Sequence, residues 1–531
     1  MDNIQFALLC ALSALVLALG REAWKWSRLQ RTIPVPALPV GYRAWSLPDP
    51  EPGFELKMAE DLALRPFRWG KHRLTMGIKP LNPTQWLSLH KSYPAYIRLR
   101  EARHAVYGSR CYKILPSSAC LREGDFLNEL AALELARAIS AYLACRYPSL
   151  FRVEPRGSER RNDGFDVRSI TRNALPECGL EAKTWLLEDL GPFGEGADEA
   201  MRVAGELVPD DLALLRETPL TDEERAGYQS EKAPLNAHRL IGGSICTAGF
   251  WTLKDKLGLP LREIHTRGGV PQYDEKLRDP MDRFFSKLRP DKPIERIDNF
   301  FFQICDTEAI PALLSGELIP DVLPPDDKRC APISGRTSSS MRADELCREL
   351  YDRSELSWSH TTNGPEEIFD QMLKGPRAAS SETTGRVDAK SDAALDCKAK
   401  EEEEEVVVVD AFKGPQVATD PASICMRAER QTLRRLPRSG AIVFTIRTYL
   451  TPITEFAKEA GVPGRLASSM REWPEATAKY KGAEMYRDLA LRYLDEAHRD
   501  QIDAGLIRDW EIDAAAFETE RARADKAFPF A

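Results

Sequence analysis

Apolar and polar positions recur along this chain with several different periods, and each period predicts a different element. Residues 4–19 are almost continuously apolar (I-Q-F-A-L-L-C-A-L-S-A-L-V-L-A-L), with Gly20 and Arg21 next and Trp24 and Trp26 close behind. A membrane-spanning helix needs about 20 residues, a length the run reaches when Ala23, Trp24 and Trp26 extend it into the interface, where Trp is enriched. Residues 125–146 predict a helix capped by Asp125, with Leu127, Leu130, Leu133, Ile139, Tyr142 and Leu143 on or near one apolar stripe. Residues 237–253 and 299–305 are short runs of apolar, β-branched and aromatic residues between turn signals, which predict strands. In residues 440–450 (G-A-I-V-F-T-I-R-T-Y-L) the period is two. Ile442, Phe444 and Ile446 share one face, and Thr445, Arg447 and Tyr449 share the other, which would line a polar pocket. Residues 422–436 predict a helix stopped by Pro437, on which Arg427, Arg430 and Arg434 project from one side. Residues 480–524 predict mostly polar helix.

These patterns set the expected organisation. Residues 1–30 form an N-terminal membrane anchor, 31–55 a proline-rich spacer, 56–323 the first part of a globular body, 324–416 a disordered acidic and Ser-rich insertion, 417–500 the second part of the body, and 501–531 a helical tail. A cleaved signal peptide is the rival reading of the first segment, but Asp2 stands where such a peptide carries Lys or Arg. Arg21, Lys25, Arg28 and Arg31 follow the apolar run, so the positive-inside rule puts the body in the cytosol; the expected placement is a single-pass protein of the endoplasmic reticulum.

Charge and motif content narrow the chemistry. The 531 residues carry 74 Lys plus Arg against 82 Asp plus Glu, a net charge of -8 that argues against nucleic acid as a partner. The 11 Cys form no C-x-x-C pair, so structural zinc, iron–sulfur clusters and covalent haem all lack their signals. No P-loop, G-x-S-x-G or H-E-x-x-H occurs, and G-P-F-G-E-G at Gly191 has the wrong spacing for a dinucleotide turn. Any redox chemistry would therefore draw its electrons from another protein. His265, in I-H-T-R-G-G-V-P, precedes a Gly-Gly turn where backbone can approach a bound group, and a single imidazole can be an axial iron ligand; a strand-end cap bonded to its own loop is the alternative. The arginines at 427, 430 and 434 suit an anionic ligand such as haem propionates or a phosphate, or else acidic partners within the chain. Asp189, Asp210, Asp211 and Glu263 are acid/base candidates among which no spacing rule selects.

Three long strings then resemble one family. They are R-P-F-R-W-G-K-H-R-L-T-M-G-I-K-P-L from Arg65, G-F-W-T-L-K-D-K-L-G-L-P-L-R-E-I-H-T from Gly249, and E-R-Q-T-L-R-R-L-P-R-S-G-A-I-V-F-T-I-R-T-Y from Glu429. V-P-G-R-L-A-S-S and Y-K-G continue the match. The chain resembles the haem-dependent oxidative N-demethylase alpha-subunit family over residues 56–323 and 423–498, especially its fungal branch. The resemblance implies a PAS-like α+β fold, an antiparallel sheet with flanking helices, that binds haem b non-covalently and removes a methyl group from a small secondary amine as formaldehyde with O2. It implies His265 as the axial ligand, and Arg430, Arg434, Arg447 and Tyr449 as pocket or propionate residues. It also exposes departures: Arg296 comes one place early before Asn299-Phe300, and G-V-P replaces P-V-P after the histidine.

The expectation is a membrane-anchored haem oxidoreductase acting on a small-molecule substrate with a separate reductase. A PAS-like haem or small-molecule sensor that binds without catalysis is the alternative, and a haem-free assembly protein a third.

Overall fold

Three long strands organise the molecule: β8 (Ile294–Ile304), β9 (Ile424–Arg435) and β10 (Ile442–Pro452). β9 lies between the other two and pairs antiparallel with both. The computed structural model describes residues 47–304 and 417–530, less 72–74, 118–126, 156–166, 189, 191–195, 227–234, 249–250 and 252. With β1 (Ile78–Pro80), β2 (Tyr112–Ile114), β6 (Asp211–Pro219) and β7 (Asn236–Ser244), the three strands make a seven-stranded sheet in the order β1-β8-β9-β10-β6-β7-β2. Every pairing in it is antiparallel. A separate three-stranded sheet joins β3 (Phe151–Pro155), β4 (Val167–Arg172) and β5 (Lys183–Leu186). The fold is α+β.

Register assigns each side chain to a face, because directly opposed residues of paired strands point the same way. Val443, Thr445, Arg447 and Tyr449 of β10 oppose Arg434, Thr432, Arg430 and Ala428 of β9, and all eight share one face, here the first. Ile442, Phe444 and Ile446 oppose Arg435, Leu433 and Gln431 on the second face.

The first face is covered by two apolar cores. One packs α1 (Tyr93–Tyr107), α2 (Leu127–Arg146) and α3 (Gly196–Leu207) against Leu212, Leu214 and Val443. The other packs the later helices against Phe300, Met426 and Tyr449. The shorter α4 (Asp222–Ala226) and α5 (Leu253–Lys256) come next in the chain, and α6 (Leu261–Arg267) and α7 (Arg278–Lys287) follow them. Leu261 and Ile264 of α6 and Phe285 of α7 cover the second face at Ala213, Leu215, Ile442 and Phe444. The chain closes with α8 (Ile453–Phe456), α9 (Val462–Arg471), α10 (Glu475–Tyr480), α11 (Arg487–Asp503) and α12 (Ala514–Ala527).

Several sequence expectations meet the structure here. The helix of residues 125–146 is α2, and the strand of 440–450 is β10. The helix expected over 422–436 is instead the interior strand β9. Its A-E-R-Q content favours helix locally, but pairing on both edges satisfies its backbone and burial on both faces rewards the extended form, so tertiary context overrides propensity. The arginines consequently split: Arg427 points to the second face, Arg430 and Arg434 to the first.

The single-pass placement in the endoplasmic reticulum is also corrected. No helix among the described residues is long and apolar enough to cross a membrane. The longest, α2, has 20 residues but includes Glu129, Glu134, Arg137 and Arg146. Residues 4–19, which carried the expectation, lie outside the described residues, as do those of the insertion at 324–416. Ile304 and Ile424 are paired neighbours, so the chain between β8 and β9 leaves and re-enters the sheet at one place, where added length disturbs the packing least.

Candidate functional site

His265 stands on α6, which starts after Pro260 and ends at Gly268. Its Nδ1 lies 2.8 Å from the Leu261 carbonyl oxygen. A carbonyl only accepts, so Nδ1 carries the proton and Nε2 keeps its lone pair. Nε2 makes no hydrogen bond among the described residues. The ring is stacked on Tyr273, with centroids 4.7 Å apart and planes 8° from parallel. Tyr273 opens a single π-helical turn, Tyr273–Leu277, after the Gly-Gly sequence. Burial lowers the imidazole pKa to about 4 against the opposing hydrogen bond to Leu261, and the Lys256 and Arg296 cations add to the fall. The side chain is neutral, oriented and partly exposed, which are the properties of an imidazole ready to coordinate a metal.

Beyond His265 on the same face lies a polar network on β8 and β9. The Glu429 carboxylate accepts from Asn299 Nδ2 at 2.9 Å, Gln431 Nε2 at 2.8 Å and Arg427 Nε at 3.2 Å. Arg427 also donates to Thr448 Oγ1 at 2.8 Å. Arg296 donates to Asp298 at 2.9 Å and lies close enough to act electrostatically on both His265 and Lys481. A β-bulge separates Arg296, opposite Gln431, from Asn299, opposite Glu429. The one-residue displacement of Arg296 seen in the sequence is thus taken up by the bulge, which keeps Arg296 and Asn299 on one face.

The first face holds the other predicted residues. Arg430 reaches Glu295 Oε2 with Nε at 3.1 Å and Nη2 at 2.9 Å. The Arg434 guanidinium sits 4.6 Å from the Trp86 ring centroid. Arg447 donates to Ser92 Oγ at 2.8 Å, lies 3.6 Å from Asp61 and stacks 4.2 Å from the Tyr96 ring centroid. Tyr449 Oη is 3.5 Å from His90 Nδ1, and burial raises its phenol pKa. Burial also lowers the His90 pKa to about 3, with Arg447 and Arg430 adding to it, and raises that of Asp210 to about 6.

The structure therefore gathers Arg430, Arg447 and Tyr449 beside one another, with Arg434 further along the same face, and sets His265 across the sheet. One flat group lying against His265 does not also meet these four side chains. Among the acid/base candidates, Asp211 pairs with the buried Arg100 at 2.7 Å and Glu263 with Arg267 at 2.5 Å, while Asp189 lies outside the described residues. Sequence reasoning missed Glu429, Gln431, Asn299 and Lys481. Three of them sit inside strings already singled out, E-R-Q-T-L-R-R and Y-K-G, but the helical reading of β9 drew attention to the arginines between them.

Seven antiparallel strands with helices on both faces, and one orientation-locked histidine on α6, define an α+β protein. A family model described as haem-dependent oxidative N-demethylase, alpha subunit-like, matches residues 77–319 and 387–491, well over half of the chain. The chain belongs to that family. Haem dependence fits the residues present: Nε2 of His265 has a free lone pair, and Ile264 and Phe444 give the same face an apolar wall.

Proposed function

We propose that this chain is a haem-dependent oxidoreductase that uses O2 to remove a methyl group from a small amine, with haem b held non-covalently by His265 in a PAS-like body. The observation that carries the reading is the His265 imidazole, protonated at Nδ1 against Leu261 and unpartnered at Nε2, in a chain whose family is haem-dependent. Bound haem would supply the oxygen chemistry. The chain's own residues do the rest. Tyr273 fixes the plane of the imidazole, and Ile264 and Phe444 belong to the apolar cluster on the same face. Glu429, held by Asn299 and Gln431, and Asp298 are already paired with Arg427 and Arg296, and their remaining lone pairs can accept from an amine N–H. With no nicotinamide or flavin fingerprint in the sequence, electrons come from a separate reductase.

Reconstitution of the full chain with haem tests the ligand. A Soret band is expected for the native chain, and its loss or marked shift for His265→Ala; a band of unchanged position and intensity refutes the assignment. Supplying reductant, O2 and a panel of secondary methylamines tests the reaction through released formaldehyde. Haem binding with no formaldehyde across the panel would instead mark a sensor.

A further inference from the structure

Cys111, just before β2, and Cys246, two residues past β7, pack against each other as a buried pair of their own, with Tyr112 beside them. The β2–β7 ladder brings them together. Tyr112 opposes Ser244, and the Ile245 N–H donates to the Cys111 carbonyl at 2.7 Å. Cys246 is then one step along from the residue opposite Cys111, and the chain bends there. Positions so displaced across an antiparallel pair lie about 6 Å apart, within the span that a disulfide bridges. Both are free thiols, and the Cys111 thiol donates a hydrogen bond to the Cys246 sulfur.

One face of α1 builds the surroundings of Cys246, through Arg100, Arg103 and His104 at helical spacing. Arg103 Nη1 donates to the Cys246 carbonyl. Arg100 pairs with Asp211 at 2.7 Å, and the same carboxylate accepts the Cys246 N–H at 2.7 Å. His104 donates to the Cys246 sulfur, with Ser244 Oγ 3.0 Å from its Nε2 and Glu206 of α3 3.6 Å from its Nδ1. A sulfur between an imidazole and guanidinium groups, with a carboxylate behind the imidazole, has the surroundings of a nucleophilic thiolate. Burial raises the Cys246 thiol, but the hydrogen bond from Cys111 and the Arg100 and His104 charges outweigh it and hold the group well below an ordinary thiol. The hydrogen bond to Cys246 and burial together push Cys111 the other way, so it keeps its proton. Neither residue is more than 1% exposed. β2, however, is the last strand of the sheet and is held to β7 by three residue pairs, so its local opening admits a molecule as small as a peroxide without global unfolding.

We infer that Cys246 and Cys111 are a redox-active thiol pair that a peroxide converts to a disulfide, with Cys246 as the attacking sulfur and Cys111 as the resolving one. The Cys246 thiolate attacks one oxygen of hydrogen peroxide. The S–O bond forms, the O–O bond breaks, and the released hydroxide takes the proton of the His104 imidazolium to become water. The Cys111 sulfur then attacks the sulfenic sulfur. The S–S bond forms, the S–O bond breaks, and the hydroxyl leaves with the Cys111 proton as a second water. The two sulfurs together lose two electrons, and one peroxide is reduced to two waters. The bridge ties the edge strand β2 to the end of β7, and a dithiol reductant reverses it. Nothing in this step depends on haem or on an amine substrate.

Brief treatment of the full-length protein with hydrogen peroxide at pH 7, an acid quench, alkylation of the remaining thiols in denaturant and unreduced peptide mapping by mass spectrometry test this. The peptides carrying Cys111 and Cys246 are expected as one cross-linked species, lighter than their sum by two hydrogen atoms and separated by dithiothreitol. The half-buried Cys145 and Cys178 should be at least about tenfold less oxidised at the same dose. Cys111→Ser should stop the reaction at a Cys246 sulfenic acid that dimedone traps, and Cys246→Ser should leave Cys111 a thiol. Recovery of both Cys111 and Cys246 as alkylated thiols at a dose that oxidises Cys145 overturns the proposal, as does a Cys246 bridged to any other cysteine. The cross-link is read on the parent chain, so the result stands even where a variant fails to fold.

Discussion

Asp210, at the entry to β6, offers a quantitative check on the buried charges of the first face. Its carboxyl is 2% exposed, and Oδ2 has no hydrogen-bond partner among the described residues. Two effects compete. Burial penalises the carboxylate, while Arg447, Arg430 and Arg100 favour it and Asp211 repels it. Burial prevails, and the pKa rises from 3.8 to about 6. A carboxyl that binds its proton more tightly in the native state loses native stability as pH rises from the unfolded toward the folded pKa. Two pKa units at 1.36 kcal/mol each make the full loss about 3 kcal/mol, of which roughly half falls between pH 5 and 7. Asp210→Asn removes the titration and preserves the shape. Urea unfolding of both proteins across that range should show the variant gaining on the parent by about 1–1.5 kcal/mol from pH 5 to pH 7. Taking the difference cancels the other titrating groups. A difference that stays flat, or moves the other way, would mean that the arginines hold Asp210 ionised throughout, and the reasoning would fail.

Other consequences are as direct. Glu134 of α2 accepts hydrogen bonds from the backbone N–H groups of Arg438 and Ser439 and from Ser439 Oγ, pinning the β9–β10 hairpin. Glu134→Ala should cost about 3 kcal/mol in denaturant unfolding, because it strands two backbone donors. Gly77 has a φ of +61°, and an added Cβ would overlap the Asp298 carboxylate. Gly77→Ala should lower stability by about 2 kcal/mol, a loss that Gly53→Ala, with open space around it, should not show. Arg434→Met, across the sheet from His265, should leave the Soret position of the haem-loaded protein unchanged; a shift would mean that the cofactor contacts the first face.

Much of this protein could be read along one dimension. The period of two over 440–450 and the capped apolar stripe of 125–146 are properties of consecutive residues, and both appear as β10 and α2. Family membership was legible for the same reason, since its motifs are continuous strings that need no folding to be recognised. The face on which each residue acts was not legible. It depends on register between segments far apart in sequence, such as Asn299 opposite Glu429 and Arg447 opposite Arg430. Arginines spaced three or four apart read as one helical face until pairing on both sides drew the segment into the sheet and sent alternate residues opposite ways. His265 was identifiable as a candidate from its Gly-Gly context. Its separation from the arginine cluster and its stacking on Tyr273 came only from tertiary packing, because stacking partners and cross-strand neighbours are set by three-dimensional contact and local spacing does not encode them.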